Sequence, residues 1–188
     1  MLVASAFIFL INKSSIDAKY DDKSAYGVIT VDLDNLQEGS TIVLFEDNTE
    51  NYKVVVDVLP CYHTTTYSSG NSGWSSQMPT GRILRLYPHI EGSQAGHKEM
   101  GFYEDVIIKD GTTTILSVYD PIIQTGFGIS VSEGPQLSIL NKTATTITAK
   151  ASLTWVSQSI VFGIKSNNYL TSEFNKSGQM KLSWKFQD

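Results

Sequence analysis

Along most of the chain, apolar and polar residues alternate with period two. The clearest run is QMKLSWKFQ (179–187), where Met180, Leu182, Trp184 and Phe186 fall on one face and Lys181, Ser183 and Lys185 on the other. The same alternation predicts a strand from Tyr26 to Asp34 and another over RILRLY (82–87), stopped by Pro88. STIVLF (40–45) and YKVVVDVL (52–59) flank the polar stretch EDNTEN and read as a hairpin. In EDVIIKDGTTTILSVYD (104–120) the pair Asp110-Gly111 separates two β-rich runs, and a two-residue type I′ turn requires positive φ at both central positions. Further strands are expected at FGISVS (127–132), TTITAKASLTW (145–155) and SIVFGIK (159–165). Residues 2–11 also read as a strand, with Phe7 and Phe9 pointing one way and Ile8 and Leu10 the other.

Helical periodicity is scarce. The best short segment is NYLTSEF (168–174), where Thr171 or Ser172 offers a cap. The expected fold is therefore all-β, an antiparallel β-sandwich or barrel with long loops and at most one short helix, built as a single domain over residues 1–188. Two segments, 60–81 and 88–101, lose the alternation and are expected as extended loops, each near or beyond the length at which structureless loops become uncommon.

Composition narrows the function classes. A net charge of −5, with no basic run, gives no general attraction to nucleic acid or to an anionic membrane. The chain has 41% hydrophobic and 18% charged residues, a globular profile poor in charge, which lowers the desolvation penalty of burying surface against neighbours. The single cysteine excludes a disulfide within the chain. The N-terminal apolar run lacks a preceding Lys or Arg and is shorter than the roughly 20 residues that span a bilayer, so it reads as a buried strand rather than a leader.

Candidate chemistry concentrates in CYHTTTYSSGNSGWSSQMPTG (61–81). Ser72 sits in a Gly-x-Ser-Gly setting, but no histidine precedes His63 to complete the chymotrypsin-like order, and no nucleophile elbow is present. Cys61, His63, His89 and His97 do not fall at structural-zinc spacings, so the expectation is no metal, a semi-buried thiol and surface histidines. A Cys–His nucleophile lacks any local group that would lower the thiol pKa. Glu99, Glu104, Asp105, Asp57 and Asp120 are expected at strand ends, where acids are usually solvated. No phosphate-cradling loop and no cofactor motif occurs, so the chain is expected to be non-enzymatic and without cofactors.

What remains is binding. Tyr62, Tyr67, Trp74 and Tyr87 form a potential aromatic platform, and Met78 with Trp74 are apolar anchors in an otherwise polar loop. The interface residues expected from sequence are Tyr62, Tyr67, Trp74, Met78, Phe7 and Phe9. An acidic β-rich chain with long Ser/Thr/Gly/Tyr loops and apolar ends resembles β-structural subunits of bacteriophage particles, of the tail-tube, ring and adaptor type. That resemblance is one of style across the chain and transfers no residue roles. It implies a structural virion subunit, folded in the host cytoplasm, whose partners are further copies of itself in a ring or array and other structural proteins. The alternative is a secreted or cell-surface carbohydrate-binding or adhesin-like β-sandwich that holds a glycan through Trp74 and its neighbouring tyrosines.

Overall fold

The computed structural model describes residues 16–21, 24–33, 36–48, 51–61, 81–92 and 97–187. They form twelve strands: β1 (Ile16–Asp21), β2 (Ser24–Asp32), β3 (Thr41–Asp47), β4 (Tyr52–Leu59), β5 (Arg82–Glu91), β6 (His97–Lys109), β7 (Thr112–Thr125), β8 (Ile129–Asn141), β9 (Thr143–Ala144), β10 (Ala149–Ser159), β11 (Lys165–Phe174) and β12 (Gln179–Gln187). Sheet 1 has the order β1-β2-β12-β11-β10-β8 and sheet 2 the order β3-β4-β5-β6-β7-β9, with antiparallel pairing throughout. The expected all-β antiparallel sandwich is the fold.

Alternation places the core. Ile29, Val31, Leu153, Leu170, Leu182, Trp184 and Phe186 from sheet 1 meet Val54, Val56, Leu84, Leu86, Met100, Phe102, Val106 and Ile115 from sheet 2. Phe45 packs on Trp184 at 5.8 Å, and Tyr52 meets Phe186 edge-on at 5.3 Å, so aromatic contacts cross from sheet to sheet. Trp184 lies against Gly27, where an added Cβ would sit 2.3 Å from the indole; only glycine leaves room for the ring. The β6–β7 turn falls at Asp110 (φ 50°) and Gly111 (φ 66°), between Lys109 and Thr112, which pair with each other. That is the turn the sequence predicts.

Four expectations are corrected. NYLTSEF is not a helix but the end of β11, with Asn168, Leu170, Ser172 and Phe174 turned inward; ten pairs to β10 and six to β12 outweigh a short, ambiguous apolar spacing. Pro88 does not stop the strand. β5 runs on to Glu91, and Pro88 sits where the β5–β6 ladder skips from Leu86↔Glu104 to His89↔Gly101, so its missing N–H falls in an existing gap. The stretch 88–101 is accordingly mostly strand, held by buried Ile90 and Met100. Finally, SIVFGIK is not a strand. β10 ends at Ser159, and Ile160–Ile164 forms a turn with Gly163 at φ 67°.

Candidate functional site

The turn at 160–164 lies beside the β7–β8 turn at 126–128. The Ile160 amide donates to the Gly128 carbonyl (2.8 Å), and Ser159 pairs with Ile129. Within the turn, Gly163 N–H donates to the Ser159 carbonyl (2.8 Å), Ser159 N–H to that of Ile164 (3.0 Å), and Phe162 N–H to Ser159 Oγ (3.3 Å). These bonds satisfy the backbone locally and turn the side chains outward. Phe127 is fully exposed, Phe162 is 78% exposed, and Ile160, Val161 and Ile164 are each more than half exposed. No charged residue occurs in 121–132 or in 151–164. The result is an exposed apolar tip without charged residues at one end of sheet 1. Single exposed apolar residues are ordinary, whereas a contiguous group marks a contact surface.

A second feature lies on the outer face of sheet 1. The β8–β10 register slips at Gly134-Pro135, where Gly134 has φ 89° and its Cα approaches the Thr154 carbonyl so closely that a Cβ would stand 3.1 Å from it. This bulge leaves a shallow groove of about 350 Å³, whose lining includes Gln136, Thr154, Val156, Asn167 and Tyr169. Glu133 at its rim is paired with Lys165 at 3.1 Å.

The outer face of sheet 2 is built differently. Tyr87 stacks on Tyr103 (centroids 4.4 Å apart) and on His89 (4.3 Å), and Tyr103 stacks on Tyr119 (5.7 Å). Arg85 grips Asp105 through two bonds, of 2.8 and 3.3 Å, and Ser117 and Tyr119 also donate to Asp105. Tyr87 donates to Glu99 (2.6 Å), and His89 bonds Glu91, which pairs with Lys53. Ring faces and polar groups are thus spent largely on one another. That pattern braces a sheet face rather than offering groups to a ligand.

Between the sheets lies Glu104. It is fully buried, accepts a hydrogen bond from Ser172 Oγ at 2.7 Å, and leaves Oε1 without a partner. Burial raises its pKa to about 8, against the opposing effect of the Ser172 bond, so the carboxyl is neutral at pH 7. The expectation that Glu99, Glu104 and Asp105 stand at strand ends is wrong: all three lie inside β6, and period two turns Glu104 inward and the other two outward. They do not face a common cleft as an acid–base pair would require.

His89 and His97 are likewise not on the surface. His89 is buried on the outer face of sheet 2, while His97 is buried in the interior, accepting a bond from Trp155 Nε1 at 3.3 Å and meeting the Phe186 ring. The two sit on opposite faces of one sheet. Among the described residues, no three His, Cys, Asp or Glu are placed to hold a metal ion. Burial pushes the Cys61 thiol up from its ordinary pKa, with Arg85 opposing, which disfavours a thiolate nucleophile. Tyr87, expected in an aromatic platform, belongs to the stacked ladder. Tyr62, Tyr67, Trp74, Met78, Phe7, Phe9 and His63 lie outside the described residues.

The sequence expectation missed both the tip and the groove. The tip carries a signal, an apolar run around Gly163, that matches a strand as well as it matches an exposed turn. The groove carried none, since its residues come from three separate strands.

No family model and no curated protein sequence matches the chain. Among solved structures, a hypothetical protein, lmo2686, from Listeria monocytogenes EGD-e is similar over 55% of this chain and 70% of its own, at 17% identity and a TM-score of 0.40.

Proposed function

We propose that the chain is a non-enzymatic structural subunit of a multi-subunit assembly, packing against a neighbouring copy through the apolar tip. The observation that carries this reading is the cluster of Phe127, Ile160, Val161, Phe162 and Ile164, exposed together on two turns that are hydrogen-bonded to each other. Burying such side chains is worth roughly 1.5–3 kcal/mol each, and with no charge in the turns there is no ion to desolvate. The sequence resemblance to phage ring and adaptor subunits supplies the class of assembly.

Light scattering after size exclusion tests this. The double variant Phe127→Ser, Phe162→Ser changes only exposed turn residues and is expected to melt with the wild type. The wild-type chain is expected to run as an oligomer and the variant as a monomer. Equal masses for the two would overturn the reading, and binding of the wild-type tip to neutral lipid vesicles without self-association would replace the neighbouring copy by a membrane.

A further inference from the structure

The groove on sheet 1 is chemically unlike both the tip and the ladder. Gln136, Thr154 and Tyr169 form one cross-strand row over β8, β10 and β11, and Val156 and Asn167 pair in the neighbouring row. Within the described structure, the side chains of Gln136, Thr154 and Asn167 hold no hydrogen bond, and all three are exposed. Their amides and hydroxyl each both donate and accept. Tyr169 is 37% exposed, with a ring available beside them. The row continues through Lys185 to Tyr26, itself 36% exposed, two strand spacings or about 9.5 Å from Tyr169. Around the groove on this face, Glu133 is paired with Lys165, and Glu173 with Lys150 and Lys181.

From this juxtaposition we infer that the groove binds a neutral glycan. One sugar ring stacks on Tyr169, Gln136, Thr154 and Asn167 bond its hydroxyls, and the chain continues over Lys185 toward Tyr26. A sugar presents what these groups complement: apolar C–H faces for a tyrosine ring, and hydroxyls that donate and accept for side chains that do both. A phosphorylated or otherwise anionic ligand would meet Glu133 at the groove rim, and the first cation along this row, Lys185, lies one strand beyond Tyr169. The groove's volume lies at the lower end of the range of small-ligand sites, about 300–1,000 Å³, which suits one ring in the groove and the remainder laid along the sheet. Gly134 is the positioning residue, because its positive φ makes the bulge that opens the groove.

The test is an array of neutral oligosaccharides of defined hexose and N-acetylhexosamine composition, followed by titration calorimetry with whichever member binds. Wild type is expected to bind at least one member, and to do so equally in low and high salt. Tyr169→Ala should weaken that binding at least tenfold, Tyr169→Phe should retain most of it, and Asn167→Ala and Gln136→Ala should each weaken it several-fold with unchanged melting. The double tip variant should bind as wild type does, which separates this site from the assembly contact. No binding anywhere on the array overturns the inference, as does undiminished binding in both Tyr169→Ala and Asn167→Ala. Binding abolished by salt overturns the assignment of a neutral ligand.

Discussion

Replacing Glu104 by Gln should make the protein more stable at neutral pH and alter it little in acid. In the folded chain the carboxyl pKa is about 8, against an ordinary value of 4.5. Below pH 4.5 both folded and unfolded chains hold the proton, and the group has no pH-dependent effect. As pH rises above 4.5 the unfolded chain ionises while the folded chain does not, so stability falls by about 1.4 kcal/mol per pH unit. At pH 7 the loss reaches roughly 3 kcal/mol, and it levels off once the folded carboxyl also ionises, near pH 8. Glutamine keeps the shape and an oxygen to accept from Ser172, and its amide occupies the place of Oε1, which has no partner to lose. The assay is urea denaturation of both proteins at pH 4, 5, 6, 7 and 8. The difference should be near zero at pH 4 and grow to roughly 3 kcal/mol in favour of the Glu104→Gln variant by pH 7, whatever the other carboxylates do in common. A difference that stays constant with pH, or a variant less stable at pH 7, would refute the reasoning.

Gly111→Val should destabilise the fold by about 1 kcal/mol or more, read as a lowered denaturation midpoint, from backbone strain at φ 66° alone, because nothing lies within 4 Å of an added Cβ. Gly27→Ala drives a methyl into the Trp184 ring and should cost about 1–3 kcal/mol, with a changed near-ultraviolet circular dichroism spectrum as the sign that the indole has moved. Cys61 should react with a thiol-directed reagent at pH 7.5 more slowly than a free cysteine, since burial raises its pKa; a faster rate would mean an activated thiol.

Much of the fold is legible in the sequence wherever one face of a strand meets the core. Met180, Leu182, Trp184 and Phe186 alternate because they fill one interior, and Asp110-Gly111 announces its turn because few other residues tolerate two successive positive φ values. Reading fails where an apolar residue is apolar for another reason. Ile160, Val161, Phe162 and Ile164 look like strand residues because a short apolar run carries the same signal whether it faces a core or, as in this turn, solvent. His97 and Glu104 are polar by type yet buried, and their partners Trp155 and Ser172 come from other strands at sequence separations that no local pattern spans, whereas His89 bonds Glu91 two residues along its own strand face. Gln136, Thr154 and Tyr169 become neighbours only through sheet register, so nothing in the sequence marks them as a group.

The two turns of the tip have different ancestry in the topology. The turn at 160–164 joins β10 to β11 inside sheet 1, whereas the turn at 126–128 carries the chain from β7 in sheet 2 to β8 in sheet 1. Whatever grips the tip therefore takes hold of both layers at once. A pull on it is directed along β7, β8, β10 and β11, and it loads their ladders in shear, so that many hydrogen bonds must yield together instead of one after another. The tip is in this sense a mechanical tie between the two layers, with β8, the edge strand of sheet 1, among the strands that share its load.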